Sequence, residues 1–194
     1  MNLPNKITLF RILITPVYFL FFFSDKWFGF SPWVSVIAPW ALWALIECSD
    51  ILDGIIARKF NLVTDLGKVM DPFADVLSRV TYFLCFAYSG IMPVWMFVII
   101  LYRELGITFL RMVMLQKGTA VAASIWGKLK AVSYGISGVV GLIVISTLRI
   151  DFLAEFAKPA GIIGLAVFSV AAFSSVASFL TYLFPILRSF KEDA

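Results

Sequence analysis

Six apolar stretches, at about residues 7–24, 32–57, 69–89, 92–115, 127–148 and 157–187, each approach the length that crosses a bilayer. In lipid, every backbone N–H and C=O must be satisfied within the protein, so such a chain folds as helices packed side by side. With 61% hydrophobic and 14% charged residues, it has too little polar side chain to cover a water-soluble globule. The expectation is an all-α integral membrane protein, a six-transmembrane-helix bundle in which residues 1–194 form a single domain. A basic start at Lys6 and Arg11 precedes the first stretch, but no A-x-A cleavage site follows it, so it reads as a retained span. Cys48 and Cys85 sit in apolar runs without metal-ligand spacing and are expected to be buried packing residues.

Basic residues near the span ends set the orientation. Lys6, Arg11, Arg58, Lys59, Lys68, Arg111, Lys117, Lys128, Lys130, Arg188 and Lys191 collect on one side, leaving Lys26, Arg149 and Lys158 on the other. The multi-pass chain is therefore expected to keep both termini on the cytoplasmic side. Trp27, Trp33, Trp40 and Trp95 fall near the span ends, where a headgroup belt would put them. Membrane lipid is an expected partner and nucleic acid is not.

Into this apolar background falls Asp50-x2-Asp53-Gly54-x2-Ala57-Arg58-x8-Gly67-x3-Asp71-x3-Asp75. Carboxylates at membrane depth persist mainly where they pair, line a polar cavity or bind an ion. Asp50 and Asp53 end the second stretch while Asp71 and Asp75 begin the third. Each pair shares a helix face, and the short loop between them makes the helices antiparallel neighbours. Four carboxylates then converge at the cytoplasmic side. With no histidine in the chain, any ion there is held by oxygen, which suits two Mg²⁺ or Mn²⁺ ions.

Gly54, Ala57 and Gly67 remove side-chain bulk where a ligand would approach, although small residues in membrane helices also serve helix packing. Arg58 is placed to pair with a phosphate, and Thr64 offers a hydroxyl. Together these residues describe a site for a metal-bridged diphosphate.

Across all eight positions the pattern resembles the signature of the CDP-alcohol phosphotransferase family. The resemblance implies that Asp50, Asp53, Asp71 and Asp75 hold a metal pair, with Asp50 and Asp71 bridging both ions. It further implies that Asp75 is the catalytic base that deprotonates the acceptor hydroxyl. Gly54, Arg58 and Thr64, flanked by Ala57 and Gly67, would meet the CDP moiety. Pro4-Asn5-Lys6-Ile7-Thr8 resembles a family segment that closes over the nucleotide through Asn5 and Thr8. Homodimers occur in the family, and Gly135, Gly138 and Gly141 could pack either within a subunit or between two.

The acceptor should be read outside the signature. Arg103 and Arg111 stand eight residues apart, roughly on one helix face, and Lys128 and Lys130 begin the fifth stretch at the same level. Four cations beside the carboxylates suit an acceptor that carries its own phosphate. Arg103 could instead pair with Glu104 or Glu47, and the lysines could be ordinary positive-inside residues.

The runs Arg103-Glu104-Leu105, Leu110-Arg111 and Gly127-Lys128-Leu129-Lys130 resemble the bacterial branch of the family that joins CDP-diacylglycerol to glycerol 3-phosphate. That branch works in the bacterial cytoplasmic membrane. Val76 and Ala131 depart from its pattern, which commonly has lysine and threonine there. A CDP-choline enzyme, or one with an inositol-phosphate or serine acceptor, remains an alternative, as does a divalent-cation transporter.

Overall fold

The computed structural model describes residues 1–60, 62, 64–116 and 125–192. Lys117 lies outside the described residues, as do the side chains of Lys68, Arg188 and Lys191. Every regular element among the described residues is helical: α1 (Leu3–Phe22), α2 (Ser24–Phe28), α3 (Pro32–Lys59), α4 (Asp65–Tyr88), α5 (Val94–Gln116), α6 (Ile125–Arg149), a 3-10 turn (Asp151–Phe156) and α7 (Ala157–Glu192).

The starts of these helices are written in local chemistry. Asn2 accepts from the Asn5 amide at 3.1 Å, and Pro4 stands in the first turn of α1. Thr64 caps α4 by accepting from the Gly67 amide at 3.0 Å. Between α4 and α5 the chain turns at Gly90, whose φ of 76° is the left-handed conformation that favours glycine.

Among the described residues, four segments are long and apolar enough to cross a membrane: Leu3–Phe22, Pro32–Lys59, Ile125–Arg149 and Asp151–Phe184. The helices α4 and α5 have comparable lengths, 24 and 23 residues, but carry Asp71, Asp75 and Arg79, and Arg103, Glu104 and Arg111. In α3 the charged residues gather toward one end and leave a long apolar run, whereas in α4 and α5 they interrupt the run. The short α2 and the 3-10 turn were not foreshadowed by the hydropathy pattern, because each is shorter than any span and sits between two long helices.

Helix α1 packs against α3 and α4, α5 against α4 and α7, and α6 against α7 and α3. Water is not expelled when helices associate in lipid, so close packing and polar contacts must hold them. Phe86 of α4 stacks within 6.1 Å of Phe22 and 5.9 Å of Phe168, tying α1, α4 and α7 through one ring. Ser133 and Tyr134 of α6 hydrogen-bond to Ser174 and Ser175 of α7 at 2.9 and 2.6 Å.

A Cβ at Gly138 would stand 2.5 Å from the Trp43 indole nitrogen, and one at Gly141 would enter the Phe86 ring. Gly138 and Gly141 therefore pack within the subunit, whereas Gly135 faces open space. Cys85 is buried, but Cys48 is exposed on the outside of α3, correcting the expectation for that residue. Trp27, Trp33 and Trp95 are exposed as a headgroup belt requires, while Trp40 turns inward and donates to Ser146 at 3.1 Å.

Candidate active site

Helices α1, α3 and α4 build a carboxylate pocket around an arginine. Asp50 and Asp53 lie on the last turns of α3, Asp71 and Asp75 on the first turns of α4, and Asp50, Asp53 and Asp71 each bring an oxygen within 4.8 Å of the others. Arg11 of α1 enters between them. Its Nη1 pairs with Asp50 and, at 3.2 Å, with Asp75, while its Nη2 pairs with Asp71 at 2.5 Å and Asp53 at 3.4 Å. The Arg11 side chain is 1% exposed, against 51% for Asp71.

Asp75 gains a second cation from Arg79, one helical turn along α4, at 3.2 Å. Thr8 donates to Asp53 at 2.9 Å. A pocket that gathers four carboxylates and already admits one cationic group fits hard divalent cations by its donor set.

Beside this pocket lies a cleft of about 200 Å³ that brings together Asn5, Thr8, Gly54, Ala57, Arg58, Thr64 and Gly67 with Asp53 and Asp71. All seven residues expected to contact CDP line it. Asn5 and Thr64 are tied by a 3.0 Å hydrogen bond, and Asn2 donates to the Leu62 carbonyl at 2.6 Å, so the start of α1 is fastened to the α3–α4 loop. Gly67 makes that junction possible, because a Cβ there would stand 2.8 Å from Asn5 Oδ1 and 3.2 Å from Thr64 Oγ1. The guanidinium of Arg58 lies back over Gly54, 3.4 Å from where its Cβ would be.

On the other side of Asp71 a second cleft, of about 350 Å³, is lined by Asp71, Asp75, Arg79, Arg103, Glu104, Arg111, Lys128 and Lys130. All four cations expected there are present, but they are not equivalent. Glu104 accepts from Arg103 at 2.9 Å and from Lys130 at 2.6 Å, and Arg103 also donates to Ser178 of α7 at 2.9 Å. Arg103, Glu104 and Lys130 are all buried, whereas Arg111 and Lys128 are exposed. Arg111 lies over the Tyr182 ring at 5.7 Å. Val76 and Ala131 line this same cleft.

Three charged residues stand in the site beside those expected there: Arg11, Arg79 and Glu104. Arg11 has a recoverable signal, since Asn5, Thr8 and Arg11 recur every third residue and form a polar stripe along an otherwise apolar helix. Arg79 stands four residues after Asp75, the spacing of a helical ion pair. A further cavity, about 520 Å³, is lined by residues of α3, α6, the 3-10 turn and α7 such as Trp40, Val144, Phe156 and Ile163, with no charged side chain.

The family model described as CDP-alcohol phosphatidyltransferase matches residues 1–177. A Treponema pallidum protein named CDP-diacylglycerol–glycerol-3-phosphate 3-phosphatidyltransferase is 35% identical over 97% of this chain and 92% of its own length. A Bacillus subtilis protein of the same name is 37% identical over 66% of this chain and 70% of its own. A Mycobacterium tuberculosis protein named probable phosphatidylglycerophosphate synthase is 35% identical over 74% of this chain and 66% of its own. With its carboxylates gathered on α3 and α4 and its match running through nearly the whole length, this chain belongs to the CDP-alcohol phosphatidyltransferase family of membrane enzymes.

Proposed function

We propose that the enzyme transfers the phosphatidyl group of CDP-diacylglycerol to the hydroxyl of sn-glycerol 3-phosphate, yielding phosphatidylglycerophosphate and CMP for phospholipid biosynthesis. The observation that carries this reading is the meeting at Asp71 of two unlike clefts, one lined by the nucleotide-type residues and the other rich in cations. The names of the relatives support both substrates.

In this reading Asp50, Asp53, Asp71 and Asp75 hold two Mg²⁺ or Mn²⁺ ions, which when bound neutralise the diphosphate and stabilise the departing CMP. Asn5, Thr8, Gly54, Ala57, Arg58, Thr64 and Gly67 seat the CDP moiety, with Arg58 on its phosphates. Asp75 takes the proton from the acceptor hydroxyl as that oxygen attacks the lipid-bearing phosphorus. A new phosphorus–oxygen bond forms while the bond from that phosphorus to CMP breaks. The exposed Arg111 and Lys128 meet the acceptor phosphate first, and Arg103 and Lys130 complete the cationic wall from behind Glu104.

All of the chain forms one domain of six spans, with α4 and α5 crossing the membrane alongside the four apolar segments. The site and both termini face the cytoplasm of a bacterial inner membrane, a reading supported by the concentration of basic residues at one end. Assembly as a homodimer is inferred from the family, and the internal packing of Gly138 and Gly141 leaves the interface to other surfaces.

An acceptor panel tests the reaction. Purified enzyme with CDP-diacylglycerol and a divalent ion should release CMP with glycerol 3-phosphate, and not with choline, serine or inositol phosphate. Release only with one of the others would replace the acceptor, and Val76 and Ala131 would then be the first residues to blame. Divalent-metal flux into proteoliposomes without any CMP formation would favour a transporter.

A further inference from the structure

We propose that Arg11 is a built-in counter-cation of the carboxylate pocket, holding Asp50, Asp53, Asp71 and Asp75 together before a divalent ion arrives and yielding carboxylate contacts as the ion binds. This rests on the metal-binding part of the proposed function but not on the choice of acceptor. Each terminal nitrogen of the guanidinium bridges the two carboxylate-bearing helices: Nη1 joins Asp50 of α3 to Asp75 of α4, and Nη2 joins Asp53 of α3 to Asp71 of α4. Without a cation there, four carboxylates from two helix ends would repel one another in a site partly shielded from water.

Two further features set Arg11 apart from an ordinary structural arginine. Its side chain is 1% exposed, yet its Nε has no hydrogen-bond partner, so the aspartates are the groups that hold its charged end. Three of those aspartates, Asp50, Asp53 and Asp71, also stand close enough together to hold a metal ion, and a carboxylate engaged by the guanidinium is less available to one. Arginine stays charged throughout the working pH range, so the counter-charge itself is permanent. Arg11 thus acts through the aspartates, as a positioning residue.

The test is Mn²⁺ binding to detergent-purified protein, read from the electron paramagnetic resonance signal of free Mn²⁺, with no CDP-lipid or acceptor present. Arg11→Gln should bind Mn²⁺ about tenfold more tightly than wild type, since removing a unit charge a few ångströms away is worth at least that much even in a fairly polar site. In EDTA the same variant should melt at a lower temperature than wild type, and Mn²⁺ should stabilise it by a larger increment. Arg11→Lys, which keeps a charge but lacks the two-pronged fork, should fall between them.

If Arg11→Gln cannot be kept folded without metal, Arg11→Lys carries the test, and tighter Mn²⁺ binding than wild type is again the expected result. Equal or weaker Mn²⁺ affinity in the variants would overturn the inference while leaving the metal site standing. No saturable Mn²⁺ binding by the wild type would overturn the metal reading and the inference with it.

Discussion

Two charged clusters meet at Asp71 and Asp75, and they are built in opposite senses. On the α1 side one cation, Arg11, stands among four carboxylates; on the α5 side one carboxylate, Glu104, stands between Arg103 and Lys130, with Arg79, Arg111 and Lys128 nearby. Arg11, joined at Asp75 by Arg79, holds the first cluster, and Glu104 holds Arg103 and Lys130 in the second; each cluster keeps a surplus. The surplus is negative in the first and positive in the second, so the first suits metal ions and the second a phosphate. A buried charge set is costly unless it is paired. Here the internal partner keeps each cluster assembled without cancelling its attraction for a ligand.

The comparison can be broken from either side. The largest effect should come from the carboxylate shared by both clefts: Asp71→Asn should cut CMP formation by about a thousandfold or more, because metal binding and charge neutralisation fail together. Measured Mn²⁺ affinity should fall in parallel, and a variant that kept its affinity would remove Asp71 from the ligand set. Asp75→Asn should lower turnover by about 10²–10³, in the range of a lost general base, while CDP-lipid binding persists. Near-normal turnover there would end the base assignment.

On the cationic side, Glu104→Gln leaves Arg103 and Lys130 buried without their carboxylate. It should destabilise the protein by about 3 kcal/mol, as breaking a buried ion pair from one side does, seen as a lowered melting midpoint. An unchanged midpoint would mean that the cations find other partners and that Glu104 does not organise the cluster. The smallest of these effects should be that of Arg111→Ala, raising the KM for glycerol 3-phosphate about tenfold, the loss of one charge-assisted contact, with kcat little changed. An unchanged KM would take Arg111 out of the acceptor site.

The same two clusters show what a sequence can and cannot carry. The carboxylate pocket and its neighbouring cleft come mostly from residues 50–75, on two helices joined by a short loop, so helical spacing alone brings Asp50, Asp53, Asp71 and Asp75 to one place. In the sequence Arg11 reads as one more positive-inside charge near a span end; its polar stripe with Asn5 and Thr8 is the better clue. The cationic cleft draws on α4, α5, α6 and α7, and which of its cations face solvent is decided by packing between helices. Arg103 and Arg111 share a face by spacing, yet Arg103 is buried against Ser178 and Glu104 while Arg111 is exposed. The pairing of Arg103 with Glu104 was visible as an alternative in the sequence; the approach of Lys130 from α6 was not.

The central claim is that the anionic and cationic clusters serve one reaction, joining a nucleotide-activated lipid to a phosphate-bearing alcohol. Its most direct measurement uses purified enzyme in defined membranes with CDP-diacylglycerol, Mg²⁺ or Mn²⁺, and glycerol 3-phosphate labelled in its carbon skeleton. The label should enter the lipid phase as phosphatidylglycerophosphate, one molecule for each CMP released. CMP release with no label in the lipid, or label incorporation that needs no divalent ion, would contradict the account.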